Sequence, residues 1–473
     1  MDSMDSRESK IKVVMLPWLA HGHVSPFLEL SKALARRNFH IYFCSTPIIL
    51  TSLNKKLIAN NNNNNHSLTI ELVELHLPSS PELPPHHHTT NGLPPHLMTV
   101  LKTAFDEAGP PFTAILKTLS PHLVIYDHNQ PWAPAMASSQ NIPAVQFLTY
   151  GATSASRVLH LLKNLEKQFP FPEFSFPISF RREKAEASSD EEGRKKDIYQ
   201  FLEAMKRSCG IVLIKSFRDL EGKCIDFLSV LAEKKIVPVG PLVESPPPMK
   251  TDEDIGIIDW LDKKNESSTV FVSFGSECFL TKEEIQDLAH GLELSEVSFI
   301  WVIRFPLGEK IIRAKEVIPE GFLKRVGERG MVVEGWAPQA QILAHSSTGG
   351  FVSHCGWSSV MESMSFGVPV IAMPMKLDQP LNARLVEVVG VGVEVKRDEN
   401  ERFGAEEIAQ VIKKVLVDEN GESVRTKARE FGEKMRGKGE EQIDEVVEEL
   451  VQLCRDNTVQ AIRSVAQSFS REN

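Results

Sequence analysis

The sequence has 473 residues, a formal net charge of −10, 42% hydrophobic residues and 25% charged residues. This composition is typical of a soluble globular protein, and the length predicts two domains because a single hydrophobic core rarely grows so large. The acidic balance argues against a nucleic-acid partner, which requires a basic surface.

The cysteines are scattered and form no Cys-x-x-Cys pair; they are Cys44, Cys209, Cys224, Cys278, Cys355 and Cys454. This spacing fits free thiols in a reducing compartment better than disulfides or a zinc site. The N-terminus is polar and charged, and the apolar segment that follows it is too short for a signal peptide or a membrane span. We therefore expect a cytoplasmic protein without a membrane segment.

Short apolar segments that alternate with helical patterns fill the first half of the chain. Ile11–Leu16 predicts a buried first strand that ends at Pro17, and residues 24–36 predict a helix after a loop at 18–23. Further strands are predicted at 41–44, 123–126, 144–148 and 211–215. Strands that alternate with helices imply a parallel, doubly wound sheet.

Several segments interrupt this pattern. The asparagine run at 60–65 predicts a loop tip, and the charged segment within 169–196 predicts an insertion over a cleft. The histidine triplet at 86–88 lacks the spacing of metal ligands, so a loop or a pocket wall is favoured over a metal site. Residues 246–255 predict a stiff polar linker, in which the acidic run at 252–254 is solvated rather than a metal-binding motif.

The linker divides the sequence into an N-terminal domain at 1–245 and a C-terminal domain at 256–453. Amphipathic segments at 405–417 and 442–453 are expected to form helices that cover the sheet of the second domain. The tail at 454–473 either packs back on the N-terminal domain or remains loose.

The segment 336–379 contains an apolar strand that runs through a glycine-containing loop into a helix. The strand breaks at His354, and the helix begins near Trp357 with Ser358 and Ser359 in its first turn. The first amides of a helix lack intrahelical partners and the helix dipole favours negative charge there, so this turn is a candidate phosphate site. An ordinary βαβ unit with serine caps is the alternative.

Two loops of the N-terminal half carry candidate groups for acid–base chemistry. His21 and His23 follow the first strand, and Asp127 follows the strand at 123–126. The carboxyl ends of parallel strands open onto one cleft, where an aspartate behind an imidazole fixes its tautomer and stabilises its protonated form. Position alone does not separate His21 from His23.

The segment 336–379 resembles the signature box of the plant family-1 UDP-dependent glycosyltransferases from end to end, and the similarity extends over nearly the whole chain. The resemblance implies an α/β fold of two Rossmann-like domains facing a cleft, the GT-B architecture. It also implies transfer of a sugar from a UDP-sugar with inversion at the anomeric carbon. The Gly22 and His23 pair matches the catalytic histidine loop of the family, and Asp127 before Trp132 matches its partner aspartate.

The resemblance also implies a set of UDP-sugar-binding residues. Trp336 would stack on uracil beside Gln339, and Glu362 would accept hydrogen bonds from the ribose. Ser358 stands where the family usually has asparagine, which weakens its assignment to a phosphate, and Gln379 resembles the members that use glucose. The diphosphate would be bound by His354, Ser276 and Ser359, and the sugar hydroxyls by Trp357, Asp378, Gln379 and Thr149. Ala337 completes the predicted set.

Segments 37–47, 76–98 and 125–135 resemble the plant sub-group that adds a sugar to an existing glycoside of a flavonoid, terpenoid or apocarotenoid, through a β-1,6 or β-1,2 linkage. The resemblance implies UDP-glucose as donor, a small-molecule glycoside as acceptor and a partly polar acceptor pocket; the predicted pocket residues are Trp18, His21, His88 and Tyr150. Transfer to the bare aglycone is the alternative function, and loop packing is the alternative role for these residues.

Two other classes of protein remain as alternatives. A non-hydrolysing UDP-sugar epimerase can share this architecture but would show no dependence on an acceptor. A UDP-sugar-binding protein without catalysis would keep the segment 336–379 and tolerate the loss of His23 and Asp127. The presence of both residues favours an enzyme, which we expect to act as a monomer without a metal ion or another cofactor.

Overall fold

The structure of the protein is a computed structural model that describes residues 10–61, 69–128, 130–163, 167–174, 191–244, 246, 252–305 and 313–469. Most of the predicted asparagine loop and of the charged insertion, the middle of the predicted linker and the end of the tail lie outside the described residues.

Seven parallel strands form the first sheet. They are β1 (Ile11–Leu16), β2 (Phe39–Ser45), β3 (Ile70–Glu74), β4 (Leu123–Tyr126), β5 (Ala144–Leu148), β6 (Ile211–Ile214) and β7 (Lys235–Pro238). Their order across the sheet is β3-β2-β1-β4-β5-β6-β7. The helices of this half are α1 (His21–Ala35), α2 (Pro47–Asn61), α3 (Met98–Asp106), α4 (Gly109–Leu119), α5 (Trp132–Ser138), α6 (Ala152–Lys163), α7 (Glu191–Arg207) and α8 (Arg218–Ala232).

Six parallel strands form the second sheet. They are β8 (Thr269–Ser273), β9 (Ser298–Ile303), β10 (Gly330–Glu334), β11 (Thr348–Ser353), β12 (Val370–Ala372) and β13 (Gly392–Glu394), in the order β10-β9-β8-β11-β12-β13. The helices are α9 (Asp252–Leu261), α10 (Lys282–Ser295), α11 (Ala314–Val317), α12 (Phe322–Val326), α13 (Gln339–Ala344), α14 (Trp357–Ser365), α15 (Gln379–Val389), α16 (Ala405–Leu416) and α17 (Glu422–Phe469).

The strand orders confirm the prediction of two doubly wound parallel sheets. In the first sheet the chain order reverses between β1 and β4, which are neighbours. Every residue of β4 and β5 is buried, as expected for strands covered on both faces. Ligands bind in the crevice at the carboxyl ends of such strands, beside the point where the order reverses.

Two predicted boundaries differ from the structure. Helix α1 begins at His21, so His21 and His23 lie in its first turn rather than in a loop. Helix α9 begins at Asp252, so the acidic run that was predicted to belong to the linker forms the first turn of a helix.

The long helix α17 contacts both halves of the molecule. Its residues Ala428 and Met435 pack beside α14 of the second half. Ile443, Val446 and Leu450 instead belong to the core of the first sheet. The prediction that 442–453 covers the second sheet is therefore wrong, because hydrophobic periodicity identifies the apolar face of a helix but not the sheet that it covers.

The two halves share a hydrophobic cluster. Ala152 and Leu159 of α6 are buried together with Cys355, Trp357 and Met361 of the second half. This packing brings the carboxyl ends of the first sheet opposite the loops that follow β8 and β11. None of the helices in the described ranges is long and apolar enough to span a lipid bilayer.

Candidate active site

His23 and Asp127 form a hydrogen-bonded pair at the centre of the first sheet. His23 lies in the first turn of α1, after β1, and Asp127 directly follows β4. Since β1 and β4 are adjacent and parallel, the two side chains meet, and His23 Nδ1 lies 2.8 Å from Asp127 Oδ2. The His23 side chain is 21% exposed to solvent, whereas the Asp127 side chain is fully buried. The contact between two residues that are 104 positions apart provides a general base with its orienting carboxylate.

Each oxygen of the Asp127 carboxylate accepts two hydrogen bonds. Oδ2 accepts from His23 Nδ1 and from the backbone amide of Trp18 at 2.9 Å. Oδ1 accepts from the backbone amide of His128 at 2.7 Å and lies 2.8 Å from the His128 imidazole. Burial by itself would raise the pKa of Asp127, but the two imidazoles and these hydrogen bonds hold it below its usual range. The carboxylate is therefore ionised and fixed in orientation.

The pKa of His23 is raised above its ordinary value of 6.5. Burial opposes the positive charge, but the Asp127 carboxylate outweighs this effect, and Glu277 and Asp378 of the second half act in the same direction. A direct contact brings Glu277 to the first half, since Thr90 Oγ1 donates to Glu277 Oε1 at 2.7 Å.

His128 is a site residue that sequence reasoning missed. Its ring stacks on His23 with a centroid distance of 5.2 Å and meets the Tyr150 ring edge-on at 5.5 Å. One ligand atom from each of His23, Asp127 and His128 lies within 4.8 Å of the others, so the three residues are also a possible set of metal ligands. In the sequence, the position of His128 directly after Asp127, close to the end of a buried strand, was the signal that could have identified it as a site residue.

Thr149, which was predicted to bond a sugar hydroxyl, lies beside the imidazole of His23. The residue follows β5 and is 4% exposed, and its hydroxyl oxygen lies 3.0 Å from His23 Nδ1. Since Nδ1 already faces Asp127, its single proton is shared between two oxygens. Nε2 is then the nitrogen of His23 that is available to accept a proton.

The predicted phosphate turn has the geometry of an anion site. Helix α14 has nine residues and begins at Trp357, and its N-cap residue, Gly356, provides no side-chain cap. The imidazole of His354 lies between two glycines: a Cβ atom at Gly275 would be 2.7 Å from its ring, and one at Gly356 would be 2.5 Å away. Burial, with a smaller contribution from Lys376, lowers the pKa of His354 to about 4, so the imidazole is neutral.

Residues predicted to bind the nucleoside lie together. Gln339 Nε2 donates to Glu362 Oε2 at 2.6 Å, which joins the residue predicted beside the base to the residue predicted at the ribose. The Trp336 side chain is 57% exposed. Its ring is stacked against His21, with a centroid distance of 5.3 Å, and Arg304 lies 5.3 Å from its centroid. Ala337 is buried in the core beneath this surface.

Trp357 and Ser358 both contact Lys215, a residue of the first half that sequence reasoning missed. The Trp357 indole Nε1 donates to the backbone carbonyl of Lys215 at 2.6 Å, and Lys215 Nζ donates to Ser358 Oγ at 3.0 Å. The indole N–H of Trp357 is therefore already used by a backbone carbonyl of the first half. Lys215 directly follows strand β6, just as Asp127 directly follows strand β4. This position after a buried strand was the available signal in the sequence.

The loop that ends at Gln379 is held by its own side chains. Gln379 Oε1 accepts from the backbone amides of Met375 and Lys376, at 2.9 and 2.8 Å. Asp378 Oδ2 accepts from Asn382 Nδ2 at 2.9 Å. Ser276, after β8, and Ser359, in α14, occupy the two predicted phosphate turns.

The four predicted acceptor-pocket residues have different surroundings in the structure. Tyr150 lies beside His128, and its pKa is raised by burial and by the nearby carboxylates of Asp127 and Asp378. The Trp18 ring packs edge-on against Phe105 in the core. His88 is 3% exposed with its Nε2 3.3 Å from the Leu83 carbonyl oxygen, which favours the alternative of ordinary loop packing. His21 contacts Trp336, as described above.

Comparisons with known proteins agree with this architecture. Residues 9–244 match the family described as "Glycosyltransferase, N-terminal domain", and residues 251–426 match the family described as "UDP-glucoronosyl and UDP-glucosyl transferase". The chain is 56% identical to "UDP-glucosyltransferase 29" of Panax ginseng over 455 residues, which cover 96% of this chain and 99% of the relative. It is 52% identical to "Beta-D-glucosyl crocetin beta-1,6-glucosyltransferase" of Gardenia jasminoides over 449 residues, which cover 94% and 99%.

A solved structure extends the similarity to the fold. Glycyrrhiza uralensis UGT73P12, complexed with glycyrrhetinic acid 3-O-monoglucuronide, matches with a TM-score of 0.82 at 23% identity, over 97% of this chain and 100% of that chain. This similarity confirms the GT-B fold. Together with the family matches and the identity over nearly the full length, it shows that the chain belongs to the plant UDP-glycosyltransferases.

Proposed function

We propose that this enzyme transfers glucose from UDP-glucose to a sugar hydroxyl of a plant small-molecule glycoside, with inversion at the anomeric carbon. The observation that carries the proposal is the His23–Asp127 pair, in which His23 Nδ1 lies 2.8 Å from Asp127 Oδ2. A base on one side of the cleft and an anion-binding turn on the other side are the two parts that a direct displacement requires.

The reaction is a single displacement. His23 Nε2 accepts the proton of the acceptor hydroxyl while its oxygen attacks the anomeric carbon of the donor sugar. The bond from that carbon to the β-phosphate oxygen breaks, and UDP leaves with the electron pair. Asp127 stabilises the imidazolium that forms, because it is ionised and already accepts the Nδ1 hydrogen bond. Attack from the face opposite UDP converts an α-linked donor into a β-glycoside.

The donor side offers a hydrogen-bond donor and an acceptor to the transferred sugar, which we propose is glucose because the relatives are named as glucosyltransferases. Gln379 Oε1 is used by two backbone amides, so the side-chain nitrogen is the end that would donate to a sugar hydroxyl. Asp378 is held by Asn382 and provides an acceptor beside it. We assign Trp336, Gln339 and Glu362 to the uridine, and the first turn of α14 with His354 and Ser276 to the diphosphate.

Transfer to a glycoside, rather than to an aglycone, is supported by the relatives. The name of the Gardenia jasminoides relative, 52% identical to this chain, describes transfer to a glucosylated acceptor through a β-1,6 linkage. His128 and Tyr150 add polar groups beside the base, as a sugar acceptor would require. We propose a β-1,6 linkage on this basis, with β-1,2 as the alternative that the acceptor test distinguishes.

We further propose that the enzyme acts as a cytoplasmic monomer without a metal ion. Hydroxyls, backbone amides and an imidazole at the anion-binding turn are sufficient donors for a diphosphate. Because His23, Asp127 and His128 form a possible set of metal ligands, activity should be measured with EDTA and with added Mg²⁺, Mn²⁺ or Zn²⁺. Equal rates are expected, and a rate that EDTA abolishes and a metal ion restores would contradict this part of the proposal.

The decisive experiment compares acceptors with UDP-glucose as donor. Flavonoid, triterpenoid and apocarotenoid monoglucosides are tested beside their aglycones, and products are identified by mass spectrometry and their linkage by NMR. His23→Ala is the inactive control. Products from the glucosides alone are expected. Products mainly from the aglycones would place the enzyme among those that add the first sugar, and conversion of UDP-glucose without an acceptor would indicate an epimerase.

A further inference from the structure

Lys215 is a buried lysine at the carboxyl end of β6, and its side chain points into the contact between the two halves. The residue is 2% exposed, and its ammonium donates to Ser358 Oγ at 3.0 Å. Within the described part of the chain it forms no ion pair with a carboxylate. A lysine ammonium has three hydrogen-bond donors, and burying its charge without a counter-ion is costly. The position therefore suits a lysine that meets an anion.

The backbone of Lys215 is fixed to the same turn of helix that its side chain contacts. The carbonyl accepts from the Trp357 indole at 2.6 Å, and the ammonium bonds the next residue, Ser358. Both residues belong to the first turn of α14, whose amides favour an anion. The ammonium thus lies beside the helix terminus, although it comes from the other half of the molecule.

The short side chain of Ser358 meets the ammonium of Lys215 directly. Serine is shorter than the asparagine that the family usually has at this position, and its hydroxyl accepts the hydrogen bond from Lys215. The lysine ammonium then provides the hydrogen-bond donor that the shorter serine side chain cannot bring to a phosphate. It also supplies a positive charge, which asparagine would not.

The positive charge of Lys215 matters because His354, which is assigned to the same diphosphate, is uncharged. His354 is neutral, because burial lowers its pKa to about 4, so it contributes a hydrogen bond but no charge. Burial lowers the pKa of Lys215 to about 8, a shift that Glu362 of α14 and Glu29 of α1 partly oppose. Glu29 is itself paired with Lys32 at 2.6 Å. Lys215 is therefore mostly protonated at neutral pH, and a bound phosphate would increase that fraction.

We propose that Lys215 binds the uridine-linked phosphate of the donor diphosphate from the N-terminal half, with Ser358 holding its ammonium in place. The inference rests on the proposed function, since it requires the UDP-sugar to occupy the first turn of α14. It adds a cation from the N-terminal half beside His354, Ser276 and the first amides of α14, which are neutral donors. As the bond to the sugar breaks and negative charge grows on UDP, that cation stabilises the leaving group.

The test measures binding of uridine, UMP and UDP by calorimetry to the wild-type protein and to Lys215→Met, which keeps the length of the side chain and removes its charge. For Lys215→Met, the affinities for UMP and UDP should fall by about 10- to 100-fold because a charge-assisted hydrogen bond is lost, whereas the affinity for uridine should stay within about twofold. In the double variant Lys215→Asn with Ser358→Asn, an amide should recover part of the UDP affinity.

The outcomes separate the two levels of the proposal. Equal UDP affinity in Lys215→Met and the wild type would overturn the role of Lys215 alone. Equal losses for uridine, UMP and UDP, with a lowered melting temperature, would assign Lys215 a structural role and would also overturn it. A wild-type protein that binds UDP no better than uridine would instead contradict the donor site on which the proposed function rests.

A second measurement does not depend on the folding of the lysine variant. UDP binding to His23→Ala at pH 8.5, measured in two buffers of different ionisation enthalpy, should be accompanied by proton uptake, because a phosphate beside Lys215 raises its pKa from about 8. The His23→Ala background removes the imidazole whose pKa is raised above 6.5, and uridine is the control ligand. Binding of UDP without proton uptake would contradict the proposal.

Discussion

The Asp127 carboxylate holds the His23 imidazole by one of four hydrogen bonds, and the two side chains meet at 2.8 Å with the carboxylate fully buried. The other three bonds come from the backbone amides of Trp18 and His128 and from the His128 ring, so the carboxylate does not depend on His23 for its position. Replacement of His23 should therefore remove the base and leave the surrounding site intact.

For His23→Ala we expect kcat to fall by about 10²- to 10⁴-fold, the usual contribution of a general base. UDP affinity should stay within about twofold, since the residue lies on the acceptor side of the cleft. Initial rates and calorimetry check the two expectations. Asp226→Asn, an exposed residue paired with Arg218, is the control and should retain wild-type activity. A His23→Ala enzyme with substantial turnover would show that another group is the base.

The pH dependence of kcat/KM should report the raised pKa of His23. The imidazole acts as a base only when neutral, so kcat/KM should fall as the pH decreases through a pKa above 6.5. In Asp127→Asn the charge that raises this pKa is absent, so the acid limb should move to lower pH and the plateau should fall by about 10²- to 10⁴-fold. An acid limb that stays in place would mean that another group titrates.

The buried strands were predicted most accurately. The predicted bounds of β1, β4 and β5 agree with the structure because these strands are covered on both faces, and continuous apolar runs identify such strands. The start of α1 was missed because its N-cap is Ala20, which makes no side-chain hydrogen bond. Without a serine, threonine, aspartate or asparagine before the helix, the sequence contains no signal for that boundary.

Only the site residues that belong to a recognisable sequence motif were predicted. The strand ends identified His23 and Asp127 as candidates, and the resemblance distinguished His23 from His21. Contacts between the halves were not predictable, since Lys215 and Ser358 are 143 residues apart. A single buried lysine produces no periodic pattern in the sequence. Its partner can be identified only when the packing of the two halves is known.

Gln379→His should weaken the use of UDP-glucose. The Gln379 carbonyl oxygen accepts from the amides of Met375 and Lys376, and an imidazole cannot reproduce that pair of bonds together with a donor toward the sugar. We expect kcat/KM for UDP-glucose to fall by about tenfold or more, with the ratio for UDP-galactose over UDP-glucose increased. Parallel assays with both donors measure this ratio, and an unchanged preference would contradict the assignment of Gln379 to the sugar.

Gly151→Ala should destabilise the contact between the two halves. A Cβ atom at Gly151 would lie 3.0 Å from Glu221 Oε1 and 3.1 Å from Cη2 of Trp357. Neither neighbour is free to move: Glu221 accepts from the amides of Ala152 and Thr153 and from another side chain, and the Trp357 indole is bonded to a carbonyl. We expect a loss of about 1–3 kcal/mol, the usual cost of overpacking, measured by urea denaturation.

The matched control for this variant is Gly256→Ala in helix α9. An added Cβ at Gly256 meets no atom within 4 Å, so the substitution should stabilise the protein by about 0.5–1 kcal/mol through helix propensity alone. Gly151→Ala should in addition weaken UDP binding, because a displaced Trp357 moves the first turn of α14, whereas Gly256→Ala should bind UDP like the wild type. If Gly151→Ala were as stable as the wild type, the indole would be free to shift, and the rigid packing between α6 and α14 inferred from these distances would be wrong.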